Sequence, residues 1–97
     1  MFDAISIGSC IVELAPTTPG VPLAQAQALN LFPSGSATSF AFAAARLGLR
    51  VSLISRVGQD ELGAFITTRL KKAGVDISHI LPTPGILTSL SLCWMDC

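Results

Sequence analysis

The hydrophobic positions of this chain fall into short runs and stripes, separated by clusters of Pro, Gly and Ser. Residues 4–12 are nearly continuous in small and β-branched apolar side chains. Such a run predicts a strand buried on both faces, as in a parallel sheet, with Glu13 at or just past its end. Residues 15–20 are rich in Pro and Thr and read as a loop. Over 23–31 apolar and polar residues alternate with period two, apart from Ala28-Leu29. This predicts an exposed strand or hairpin with one apolar face, with a helix as the alternative because Ala, Gln and Leu are good helix formers. Residues 33–36 form a turn. A helix follows from Ala37 or Thr38 to Leu47, capped by Ser36 or Thr38 and stopped by Gly48. Phe40, Ala44 and Leu47 share one of its faces, and Arg46 suits the negative end of its dipole.

A second strand is expected at 51–54, then a turn at 56–60. The next helix spans about 61–73, with Asp60 as its cap and Gly74 as its stop. Leu62, Phe65, Ile66, Leu70 and Ala73 make its apolar stripe, and Lys71 and Lys72 suit its end. A short strand is expected near His79 and Ile80, and a turn at 82–85. In a final strand Leu90, Leu92 and Trp94 alternate with Ser91, Cys93 and Met95. Strands alternating with helices define an α/β fold with a mostly parallel sheet and right-handed crossovers.

Composition narrows the picture. Of 97 residues, 51% are hydrophobic and only 12% charged, which excludes a disordered chain. A free-standing domain of this size usually exposes more polar surface. The excess of apolar residues suits buried strands and helices of a larger protein. Six basic residues balance six acidic ones, so no basic field exists to hold nucleic acid or a membrane surface. The amino terminus lacks the basic segment of a secretory signal, and no apolar run is long enough for a membrane span. A cytoplasmic location is the expectation. Three cysteines, Cys10, Cys93 and Cys97, suggest buried free thiols. A zinc site would need more ligands than these and the single His79 provide.

In open α/β sheets ligands collect beyond the carboxyl ends of the strands. Glu13, residues 34–39 and residues 58–63 fall there. Glu13 is either a solvated surface acid or an acceptor for sugar hydroxyls. Ser34-Gly35-Ser36-Ala37-Thr38-Ser39 is either an ordinary cap or a cradle of N–H and hydroxyl groups for a phosphate or a polyol. Residues 58–63 read most simply as a tight turn, a cap and a close-packed glycine. The Gly-x-Gly-x-x-Gly and Gly-x-x-x-x-Gly-Lys nucleotide fingerprints are absent, and no Ser-His-Asp arrangement is credible.

Taken in order, these segments resemble the ribokinase-like (PfkB) carbohydrate kinases. The resemblance rests on Ile7-Gly8-Ser9-Cys10-Ile11-Val12-Glu13, on Pro33 through Gly48 with its Arg46-Leu47-Gly48 ending, on Val57-Gly58-Gln59-Asp60-Glu61-Leu62-Gly63, and on Lys71-Lys72-Ala73-Gly74-Val75. It covers essentially the whole chain. It implies the amino-terminal part of one ribokinase-like domain over 1–97, with a small β lid at 15–32. It implies transfer of the ATP γ-phosphoryl group, with Mg2+, to a hydroxyl of a sugar or sugar acid. By position, Glu13, Ser34, Gly35 and Ser39 would bind that substrate. Glu13 stands where the family usually has Asp, as in members resembling sugar-acid kinases. Ser34 replaces a glycine, and Ser39 replaces an Asn. The family's catalytic base and ATP pocket lie late in its sequence and have no match here, so the resemblance implies no catalytic residue and no metal ligand in this chain, which alone is expected to be inactive. A homodimer pairing through the lid strand would be its self-contact. Two other readings stay open on residues alone. One is a small non-enzymatic α/β binding module. The other is a nucleotide-binding redox half-domain, disfavoured by the absence of a Gly-rich phosphate turn after the first strand.

Overall fold

The computed structural model describes residues 1–93. Its elements run β1 (Ala4–Ile7), β2 (Ile11–Pro16), a 3-10 turn (Leu23–Gln25), β3 (Leu29–Ser34), α1 (Ser36–Arg46), β4 (Val51–Gly58), α2 (Glu61–Ala73), β5 (Ile80–Thr83) and β6 (Ser89–Leu92). They form two three-stranded sheets, ordered β1-β4-β5 and β3-β2-β6. The first is parallel throughout. In the second, β2 pairs antiparallel with β3 and parallel with β6.

The α/β class and the parallel sheet are as the sequence implies, but the apolar run at 4–12 is two strands in two sheets. The break lies at Gly8-Ser9-Cys10. There the Ser9 carbonyl accepts from the Thr38 hydroxyl at 2.7 Å instead of joining a ladder. The Ser6 hydroxyl similarly donates to the Ala37 carbonyl at 2.9 Å. The start of α1 therefore bends the chain out of the first sheet and into the second.

Four further elements differ from expectation. The alternation at 23–31 is a 3-10 turn followed by a strand that starts only at Leu29 and runs through Pro33. The second strand extends past 54 to Gly58. Pro82 and Thr83 belong to β5, and the turn follows at Pro84-Gly85. The final strand ends at Leu92, and Trp94 and Cys97 lie outside the described residues.

The core lies between the helices and one face of the parallel sheet. Val51, Leu53 and Val57 from β4 meet Ala41 and Ala44 from α1 and Ile66 and Leu70 from α2. α2 follows the pattern read from sequence: Asp60 accepts from the Gly63 amide at 2.7 Å, and Gly74 closes the helix in the left-handed region. α1 does not. Its buried residues are Thr38, Ala41 and Ala44, while Phe40 and Leu47 are 54% and 83% exposed. The small side chains let α1 lie close to the sheet, so Phe40 and Leu47 point away, while Phe42 packs at the margin of the core. The N-cap of α1 is Gly35, which has no side chain to cap with, and neither Ser36 nor Thr38 takes that place: both lie inside the helix, and the Thr38 hydroxyl donates to Ser9.

The free-thiol expectation holds for Cys10, which is buried with its sulfur 3.3 Å from the Thr38 hydroxyl. It fails for Cys93, which is disulfide-bonded, a bond that an odd number of cysteines does not announce. Among the described residues no helix is long and apolar enough to cross a membrane.

Candidate functional site

Strand geometry sorts the second sheet into two faces. Side chains directly opposite one another share a face, and alternate residues along a strand do so too. Ile11, Glu13 and Ala15 on β2 therefore share a face with Ser34, Phe32 and Asn30 on β3 and with Ser89 and Ser91 on β6. Val12, Leu14, Leu31, Leu90 and Leu92 take the other face. The sheet is thus polar on one side and apolar on the other.

A cleft of about 370 Å³ opens on the polar side, lined by Glu13, Phe32, Cys93 and the loop that follows β2. Glu13 is half-buried there. Its carboxylate makes no hydrogen bond or ion pair with any other described residue. A carboxylate in this setting is a free acceptor, available to hydroxyl donors.

Sequence places Glu13 beyond the end of a parallel-sheet strand. It sits instead in the middle of β2, opposite Phe32 and Ser91. The cause is the bend at Gly8-Ser9-Cys10, which moves it into the second sheet. Ser34 lies on the same face as Glu13, opposite Ile11 and one pleat beyond Phe32. Gly35 follows, at φ 103°. A Cβ at Gly35 would come within 2.5 Å of the Ser9 carbonyl oxygen, so the backbones of β3 and the 8–10 bend touch there. Ser34 and Gly35 do not line the Glu13 cleft, and neither does Ser39. Ser39 lies on the outer side of α1, in a separate depression with Pro33, Phe42, Arg46 and Arg69. Phe32 borders both hollows.

The sequence reading missed Phe32, Ser91 and Cys93 as neighbours of Glu13. Phe32 falls between the alternation at 23–31 and the turn at 33–36, where no local pattern assigns it a face. Ser91 and Cys93 arrive from β6 across the whole α1–β4–α2–β5 segment, a pairing that no local pattern contains.

Among the described residues no group of three or more His, Cys, Asp or Glu could hold a metal.

The molecule thus joins a parallel, helix-backed sheet to a small second sheet that carries an acid-bearing cleft. The family model for the pfkB family carbohydrate kinases matches residues 1–96, and the chain belongs to that family. It is 38% identical over 90 residues to 2-dehydro-3-deoxygluconokinase of Thermoproteus tenax, covering 93% of this chain and 27% of that protein. A fructokinase from Vibrio cholerae O395 superimposes with a TM-score of 0.82 at 30% identity, over 95% of this chain and 29% of that one. An uncharacterized sugar kinase from Pyrococcus horikoshii, solved in complex with ATP, superimposes with a TM-score of 0.83 at 29% identity, over 92% of this chain and 29% of that one. The chain thus spans roughly a quarter of the curated relative's length, at 27%.

Proposed function

We propose that this chain is the substrate-side, amino-terminal part of an ATP-dependent carbohydrate kinase that phosphorylates a sugar or sugar-acid hydroxyl. The observation that carries the reading is the unpaired, half-buried Glu13 carboxylate in the cleft of the hairpin sheet. Residues 15–32 lie within the β2–β3 hairpin and act as the lid over that cleft. Glu13 accepts hydrogen bonds from the substrate, and Ser34 and Gly35 meet it from the start of α1. Ser39 contributes from α1 only if the lid sheet shifts toward that helix. ATP and Mg2+ are held by residues beyond this chain. Phosphoryl transfer depends on positioning ATP and on a base for the acceptor hydroxyl. In the complete kinase, self-association uses the outer edge of the hairpin sheet, where Leu31 on β3 is exposed.

The test is an ATP-turnover screen over hexoses, pentoses and sugar acids, with 2-dehydro-3-deoxygluconate and fructose included because similar kinases are named for them. A complete kinase polypeptide carrying this segment is expected to phosphorylate at least one of them. The 97-residue chain alone is expected to match a mock preparation. Turnover by the 97-residue chain alone would show that the phosphoryl-transfer residues are misplaced. A folded complete polypeptide inert on every sugar would overturn the kinase reading in favour of a binding module.

A further inference from the structure

β6 leads directly into Cys93, which lines the Glu13 cleft. It is a four-residue outer strand paired only with β2, and Leu90 and Leu92 are exposed. Among the described residues from Leu81 to Cys93, Thr88 alone is buried. Its hydroxyl donates to Asp60 Oδ1 at 2.6 Å and accepts from the Gly58 amide at 2.9 Å. Its own amide donates to Asp60 Oδ2 at 2.8 Å. Asp60 Oδ1 also accepts from the Gly63 amide, at 2.7 Å. One carboxylate thus caps α2 and grips the residue just before β6.

The fit leaves no slack. A Cβ at Gly58 would come within 2.7 Å of the Thr88 amide nitrogen and 2.5 Å of the Ile86 carbonyl oxygen. A Cβ at Gly63 would come within 2.4 Å of the Gly58 carbonyl oxygen. The 58–63 segment, which reads from sequence as a turn and a cap, is therefore also the seat into which Thr88 locks.

We propose that Asp60 and Thr88 are positioning residues for the cleft: their node fixes where β6 enters the hairpin sheet, and so sets Ser91 opposite Glu13. The role for substrate rests on the kinase reading above, whereas the strand placement does not. Bonds to a charged acceptor are stronger than neutral ones, and they are made here at the entry to a weakly covered strand. Losing them should free β6 locally and leave the helix-backed sheet intact.

The experiment is amide hydrogen exchange on the 97-residue chain, read by mass spectrometry in dilute solution without ligand. In Thr88→Val, β6 and the β2 amides paired with it are expected to exchange about tenfold faster or more, while β1, β4 and α1 stay within about twofold. Thr88→Ser keeps the hydroxyl and should stay within about twofold of wild type throughout. If Thr88→Val does not fold, Asp60→Asn is judged by the same pattern, since its amide oxygen still caps Gly63. Three results would overturn the proposal: unchanged exchange in β6, equal loosening of β1 and β4, or Thr88→Ser as loose as Thr88→Val. Because no substrate is present, this outcome is separate from failure of the kinase reading, which shows as absent phosphorylation.

Discussion

Gly35 combines a left-handed backbone with a close backbone approach at the start of α1. Its φ of 103° disfavours any side chain, and a Cβ there would meet the Ser9 carbonyl oxygen at 2.5 Å. Gly20 also has positive φ, at 76°, but has nothing within 4 Å of a Cβ. Gly35→Ala should therefore cost about 2–4 kcal/mol, strain plus overpacking, and Gly20→Ala only about 1 kcal/mol. Urea denaturation of the two variants checks this, and equal losses would remove the close approach from the account. Acid should act through three carboxylates. The Thr88 hydroxyl and amide and the Gly63 amide hold Asp60 below the ordinary Asp value. The Arg50 amide and guanidinium do the same for Asp3, and the Ser52 and Ser78 hydroxyls for Asp76. Each folded pKa lies below its unfolded value of about 3.9, so the stabilisation is complete above that pH and is lost as pH falls through the folded value. The urea midpoint should drop from about pH 4 downward, and Asp60→Asn should flatten part of that drop. A midpoint independent of pH below 4 would contradict these assignments.

Between the two helices, the difference lies in which residues are large. In α2 the apolar stripe and the buried face coincide, with Ile66 and Leu70 fully buried. Leu70→Ala should cost about 2–5 kcal/mol. In α1 Phe40 faces outward, so Phe40→Ala should change stability by less than about 0.5 kcal/mol. Thermal denaturation distinguishes them, and a costly Phe40→Ala would place α1 the other way round. The same contrast shows what the sequence could reveal. α2 was legible to the residue, because its cap, stripe and stop are all local. The buried face of α1 was not, because a stripe of Ala and Thr carries almost no hydrophobic signal. The strand over 4–12 was legible as extended chain. Its division between two sheets was not, because continuous apolarity does not record which neighbour each half pairs with. Glu13 was legible as a candidate, but its position opposite Ser91 depends on a pairing made across more than seventy residues.

At the scale of the molecule, the parallel sheet is covered on one face only. Ile5, Ile7, Ile54 and Leu81 project from the other, with Ile7 at 73% exposure. Contiguous apolar surface of this kind drives association. The 97-residue chain is expected to self-associate as its concentration rises, and Ile5→Lys with Ile7→Lys should shift it toward monomer in light scattering. A wild-type chain that stays monomeric at every concentration would contradict this. The open face, the hairpin sheet and the unpaired acid fit one description, the sugar-side part of a larger catalytic unit. That claim is tested most directly by Glu13→Gln in a complete kinase polypeptide carrying this segment, with sugar varied at saturating ATP and then the reverse. A charged acceptor bond is worth about 1.5–3 kcal/mol, so kcat/KM for the sugar should fall about ten- to a hundredfold while the KM for ATP stays within about twofold. An equal effect on both substrates, or none on either, would remove Glu13 from the sugar site.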